Sequence, residues 1–207
     1  MWNQEVETKR TPNYCLILDG MAVVHEISSI HVSNCKDFSR EFIKVVNSRM
    51  KQYDQVHIIF DHYDVHKSVK EVTRNQRTGT KKGQQHFVCQ DSTPVRGSFK
   101  EFIMSVKTKE SLTHYLQEKM LQACRNSPMH VIVSTSKGAL SNRVNVDHLT
   151  STHEEADSIL ILHALHVARD GAQVDIMSPD TDVFVIALSH APHLGRNPSV
   201  ILGTGLQ

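Results

Sequence analysis

The chain has 207 residues, of which 39% are hydrophobic and 22% charged, with a formal net charge of +1. That length suits one α/β domain with a full core. The near-neutral balance excludes a globally basic nucleic-acid binder, so affinity for a polyanion must come from local basic clusters. The longest apolar run, Ile159 to Ala168, contains two histidines and is too short to cross a bilayer.

Cys15, Cys35, Cys89 and Cys124 lie far apart with no C-x-x-C pair, which argues against a disulfide framework and for a reducing compartment. Met1 to Arg10 is polar and mixed in charge, unlike a secretory signal. The expectation is an intracellular protein of nucleus or cytoplasm, without a membrane partner.

Residues 1–13 read as a flexible lead-in. Tyr14 to Leu18 is an apolar run that ends in Asp19-Gly20, as a buried parallel strand does where it meets a loop. Residues 21–30 fit helix or loop equally. From Asp37 to Tyr53, the residues Phe38, Phe42, Val45, Val46 and Met50 recur at helical spacing. Gln55 to Phe60 repeats the first pattern and ends in Asp61, so the two strands and the helix between them make a βαβ unit with both acids on one edge.

His66 to Arg77 returns to helical spacing. Lys67, Lys70, Arg74 and Arg77 line one face, and the following loop adds Lys81 and Lys82. Pro94 and Gly97 break any pattern over residues 86–107. Lys109 to Arg125 reads as a helix with Leu112, Tyr115, Leu116, Lys119, Met120 and Ala123 inside, Met129 to Ser134 as a strand, and Arg143 to Val146 as a short extended piece. A helix from Glu154 to Arg169 is stopped by Asp170-Gly171. Val174 to Ser178 is a strand, Thr181 to Leu188 a short helix, and Val200 to Leu202 a last strand. Strands alternating with helices predict an α/β fold, three-layer α/β/α with a mostly parallel central sheet, in a single domain over 1–207.

Acids end these elements: Asp19, Asp61, the knot Glu154-Glu155-Ala156-Asp157, and Asp180 with Asp182. Parallel strands would bring them to one sheet edge. Each has a plain structural role when taken alone, as a turn residue, a helix cap or a partner of a helix dipole. Together they repel, by about 4 kcal/mol per pair at 4 Å and an effective dielectric of 20, and such clusters are held by cations or protons. Carboxylates without Cys or His suit Mg²⁺ or Mn²⁺, one or two ions, better than Zn²⁺. The histidine pairs His163/His166 and His190/His193 lack the H-E-x-x-H context of a zinc enzyme.

The order apolar-Asp-Gly, apolar-Phe-Asp, Glu-x-Asp on a helix and Ser-Pro-Asp-x-Asp resembles the PIN-like five-prime nucleases, which are the flap endonucleases and the five-prime-to-three-prime exoribonucleases. The resemblance spans roughly residues 14 to 188. It implies that Asp19, Asp61, Glu155, Asp157, Asp180 and Asp182 form a catalytic, metal-holding set. Glu154 is an extra acid that shares a helical face with Asp157 and so competes with Glu155 as ligand.

The implied activity is divalent-metal-dependent hydrolysis of DNA or RNA phosphodiester bonds by a two-metal mechanism. Residues 66–107 would form a basic arch or cap, with Lys67, Lys70, Arg74, Arg77, Lys81 and Lys82 gripping phosphates. The family also carries a downstream Gly-x-Asp segment and a helical DNA-binding region, and this sequence ends at Gln207 with neither. The alternative is therefore a catalytically reduced module that binds nucleic acid or a protein partner without turnover. A haloacid-type phosphatase would want an acid where Met21 stands, and a Toprim site would leave Asp19 and Asp61 without a role.

Overall fold

The run from Tyr14 to Asp19 forms the central strand of a six-stranded sheet in a computed structural model that describes residues 13–27, 32–61, 86–95, 98–136, 138–146, 148–149, 156–195 and 198–202. The strands are β1 (Tyr14–Asp19), β2 (Gln55–Ile59), β3 (His130–Thr135), β4 (Gly138–Ser141), β5 (Gln173–Ser178) and β6 (Ser199–Leu202), in spatial order β4-β3-β2-β1-β5-β6. All neighbours run parallel except the β3–β4 hairpin. The helices are α1 (Gly20–Ile27), α2 (Cys35–Arg49), α3 (Phe99–Phe102), α4 (Val106–Ala123), α5 (Ala156–Arg169) and α6 (Thr181–Ser189). The molecule is an α/β protein with helices flanking a mostly parallel sheet.

Both faces of the sheet are covered, which is why its central strands are mostly apolar rather than alternating. Leu16, Leu18, Val56, Ile58, Val131 and Val133 share one core with α1, α2, α3 and α4. Cys15, Ile17, Ile59, Val174 and Ile176 share the other with α5 and α6. Ile132, Ala139, Val146 and Leu149 form a small third cluster under the hairpin.

The boundaries are set by local chemistry. Asn34 caps α2 through its side-chain oxygen, 2.9 Å from the Asp37 amide. Ser98 and Glu101 close a reciprocal capping box on α3. Gly171, at φ +82°, ends α5, with the Ala172 amide bonded back to the Val167 carbonyl at 3.1 Å.

Several expectations are refined. The first strand does not stop at a loop, because α1 begins at Gly20 directly after Asp19. The extended piece expected at Arg143 to Val146 is instead β4, a few residues earlier and antiparallel. On α4, Lys119 and Ala123 do not face inward. Lys119 pairs with Asp91 at 2.8 Å, and Thr108, Thr113 and Gln117 take buried positions.

Of the 66–107 stretch, residues 66–85, 96 and 97 lie outside the described residues, as do 1–12. From His86 onward the chain packs with α2: Cys89, Phe99, Phe102 and Ile103 are buried, and the Phe99 ring stacks on Phe38 at 4.7 Å. No helix among the described residues is long and apolar enough to cross a membrane.

One buried polar pair crosses a core layer. His57 of β2 and His163 of α5 are fully buried, with their Nδ1 atoms 2.8 Å apart. Burial, and then the nearby His163 ring, hold His57 well below the ordinary histidine range, so it is neutral and the pair shares one Nδ1 proton.

Candidate metal-binding site at the carboxyl edge of the sheet

The chain leaves β1 towards β2 and β3 on one side, while β5 and β6 lie on the other. The crevice beyond the carboxyl ends of β1 and β5 is therefore the topological switch point, the place where open α/β sheets bind ligands. An open cleft of about 580 Å³ lies there, lined by Asp19, Met21, Ala22, His25, Glu26, Pro179, Asp180 and Thr181. Glu26 in its wall pairs with the buried guanidinium of Arg49. The acids expected at one edge arrive by four routes: the end of β1, two residues past β2, the first turn of α5, and the turn from β5 into α6.

Three of them bond to helix starts. Asp19 Oδ1 accepts from the Ala22 amide at 3.0 Å in the first turn of α1. Asp61 Oδ1 accepts from the Ala156 amide at 3.0 Å, so the tip of β2 is fastened to the first residue of α5. Asp180 caps α6, its Oδ1 2.8 Å from the Asp182 amide. The start of each helix carries unpaired amides and a partial positive charge, which explains locally why an acid stands at each junction.

Asp157, Asp180 and Asp182 form the tighter group. Each offers a carboxylate oxygen, and these three oxygens all lie within 4.8 Å of one another. Asp157 is half-buried and the other two are exposed. Because the latter two face water, the repulsion anticipated at dielectric 20 is too large. It falls towards about 1 kcal/mol per pair at 4 Å in a water-like dielectric, and the dipoles of α5 and α6 return about 0.3–1 kcal/mol each. The triad is thus tolerable without a cation. Convergence from separate segments, rather than repulsion, is what makes it a candidate site.

Asp19 differs. Burial pushes its carboxyl above the ordinary range, the Ala22 amide works against that, and the charge of Asp61 pushes it further up. Ser178 joins the two subsets. This fully buried hydroxyl donates to Asp19 Oδ2 at 3.3 Å and accepts from the Asp180 amide at 3.2 Å. Its role was missed in the sequence, although a Ser two residues before an Asp at a helix start is a recognisable local hydrogen-bonding pattern. His25 and Glu26 carried no such signal, since they reach the cleft only through the packing of α1.

The residues present suit a hard divalent cation: acceptor-only carboxylates, close together, on a face open to solvent and with neither Cys nor His in the triad. Asp19 and Asp61 stand beside this group and not within it. Glu154 and Glu155, together with Lys67, Lys70, Arg74, Arg77, Lys81 and Lys82, lie outside the described residues. Compared with known proteins, the chain matches no family model and no curated protein.

Proposed function

We propose that the chain is a divalent-metal-dependent nuclease of PIN-like type, hydrolysing phosphodiester bonds of DNA or RNA at the carboxyl edge of its sheet. The observation that supports this most directly is the grouping of Asp157, Asp180 and Asp182 within 4.8 Å of one another, beside Asp19 and the switch-point cleft. In this reading these three acids hold Mg²⁺ or Mn²⁺, with Asp19, Asp61 and Glu154 or Glu155 completing the set. The chemistry supplied by one or two such ions is activation of water and stabilisation of a leaving oxygen.

The remaining work falls to the chain. Ser178 orients Asp19 and the Asp180 turn together. Glu26 is neutralised by Arg49, and Asp19 and Asp180 leave the cleft without a cation of its own to grip a phosphate backbone. Substrate affinity then depends on cations, namely the bound ions and the basic stretch from Lys67 to Lys82. Binding accordingly weakens steeply as salt rises.

The deciding experiment is Asp180→Asn combined with Asp182→Asn, assayed with labelled single-stranded, flapped and duplex DNA and RNA in Mn²⁺. Loss of cleavage relative to wild type supports the assignment. Unchanged Mn²⁺-dependent cleavage sinks it.

One observation favours a second reading, a module that binds metal and a partner without turnover. Asp61 and Asp180 each commit an oxygen to a helix amide. Each bond gives the acid a structural role at a helix start and leaves its second oxygen for an ion, as a module that binds metal without turnover requires. Mn²⁺-dependent thermal stabilisation of wild type with no cleavage of any substrate would favour the module.

A further inference from the structure

Past Ile58 and Val133, the last paired residues of the β2–β3 ladder, a side chain takes over from strand pairing. The Phe60 amide donates to Ser134 Oγ at 2.8 Å, and that hydroxyl donates back to the Phe60 carbonyl at 3.3 Å. Ser134, in β3, is fully buried, and Phe60 is enclosed beside it. The residue after Phe60 is Asp61, whose Oδ1 holds the Ala156 amide at the start of α5, and the residue after Ala156 is Asp157 of the triad. We propose that Ser134 is a positioning residue for the carboxylate site, a role that rests on the metal-holding function proposed for that edge. It fixes Asp61 and, through Asp61, the placement of Asp157 against Asp180 and Asp182.

A hydroxyl suits this task because it donates and accepts at once. Ser134 supplies a partner to both peptide groups of Phe60, at a depth that water does not reach. An alanine there would strip that partner from two buried backbone groups. Ser134 is itself fixed from behind. The buried Gln117 of α4 donates its side-chain Nε2 to the Ser134 carbonyl at 2.6 Å. A line of hydrogen bonds and adjoining residues thus runs from α4 through β3 and the tip of β2 to the first amide of α5.

The arrangement has a counterpart across β1. The spatial order β3-β2-β1-β5 puts the strands that lead to Asp61 and Asp19 in the middle, and a strand with a buried serine near its end on each flank. Ser178 of β5 holds Asp19 directly, whereas Ser134 holds Asp61 through the residue before it. The grip is indirect because Asp61 lies two residues past β2 and turns its carboxylate to Ala156. Among the triad acids, Asp157 comes from α5, while Asp180 and Asp182 share the turn from β5 into α6. Their approach to Asp157 therefore depends on where the start of α5 is pinned, and the Asp61–Ala156 bond is a pin.

A hydroxyl that merely filled a polar space would affect stability alone. The Ala156 amide separates the two roles. The first amides of a helix have no intrahelical partner, so protection of this one from exchange reports its bond to Asp61. Metal affinity is the second discriminator, since it responds to the spacing of the carboxylates and not to stability as such. Loss of a group that orients metal ligands typically costs about 10–100-fold in affinity.

The test uses the full chain with Mn²⁺ alone, read by the electron paramagnetic resonance signal of free Mn²⁺, together with amide exchange at Ala156 by NMR. Ser134→Ala should weaken Mn²⁺ binding about tenfold, the lower end of the range for orienting groups, and should speed exchange at Ala156. Ser134→Thr keeps the hydroxyl and should retain the affinity of wild type, even where its extra methyl lowers Tm. If Ser134→Ala fails to fold by circular dichroism, Gln117→Met carries both readouts with the same sign, because it removes the donor that fixes Ser134. Mn²⁺ affinity equal to wild type in the folded variant, or unchanged exchange at Ala156, would overturn the positioning role and leave the metal site standing. An absence of Mn²⁺ binding by wild type would overturn the metal-holding function and this role together.

Discussion

The two edges of the sheet use the same residue type in opposite ways. At the amino edge, Asp54 accepts the Tyr14 amide at 2.9 Å, and Asp175 is held between the Tyr53 hydroxyl at 2.8 Å and the Ser199 hydroxyl. Burial, and then the bond to Asp175, push the Tyr53 hydroxyl up to about 12, so it remains a donor at every ordinary pH. At the carboxyl edge the donors are helix-start amides, with Ser178 the one hydroxyl, and Asp157, Asp180 and Asp182 face one another. An acid enclosed by packed donors is structural, whereas an acid that shares its space with other acids has capacity left for a ligand. The role of an aspartate is thus decided by who donates to it.

The sharpest separation of the edges should come from metal. Asp180→Asn with Asp182→Asn is expected to reduce Mn²⁺ affinity on the order of 10²-fold or more, read as loss of the Mn²⁺ thermal shift. Asp175→Asn at the other edge should leave that shift untouched. An equal loss in both would erase the distinction between the two edges.

Gly20→Ala comes next, because a Cβ there would sit 2.6 Å from the Phe60 ring. Overpacking of that kind costs about 1–3 kcal/mol, measurable by urea unfolding. Asp175→Ala strips two hydroxyls of their acceptor and should cost a similar amount, about 1–3 kcal/mol, with no effect on metal binding.

Between the edges lies His57, whose folded value is depressed. As pH falls below about 6.5 the unfolded chain takes up a proton that the folded chain refuses. Stability therefore declines on acidification, by up to about 1.4 kcal/mol per pH unit. Repeating the urea titrations from pH 7.5 down to 5 should show this slope, flattened in His57→Leu.

The smallest effect is also the most telling. The Asp19 carboxyl is raised, so its contribution favours the folded state at low pH and is lost as pH rises through its folded value. Asp19→Asn should therefore raise Tm near pH 7 while weakening the Mn²⁺ response. A fall in both would place Asp19 with the structural acids of the opposite edge.

The layers were legible in the residues because hydrophobic periodicity reports burial: apolar runs at Tyr14, Gln55, Met129 and Val174 became strands, and the run ending in Arg169 became a helix. The junction acids were legible as well, since each ends an element. Their unequal grouping was not. Which of them meet depends on how far past each strand the chain turns, and Asp61 is drawn to the Ala156 amide while Asp157 turns to Asp180 and Asp182. The Ser178 bond to Asp19 and the place of His25 in the cleft were illegible for the same reason, as both depend on the packing of segments distant in the chain. Lys119 was misplaced because helical spacing alone does not reveal a partner such as Asp91.

Gly20 has one more consequence. Its missing side chain makes room for the Phe60 ring, which is fully enclosed and also touches Phe42 at a ring separation of 6.1 Å. Phe60 immediately precedes Asp61, and Gly20 immediately follows Asp19. The ring therefore fills the space beside Gly20, next to two strand tips whose spacing is set by their own ladder. A side chain at position 20 would thus press on the residue before Asp61, whose carboxylate is fastened to the first amide of α5.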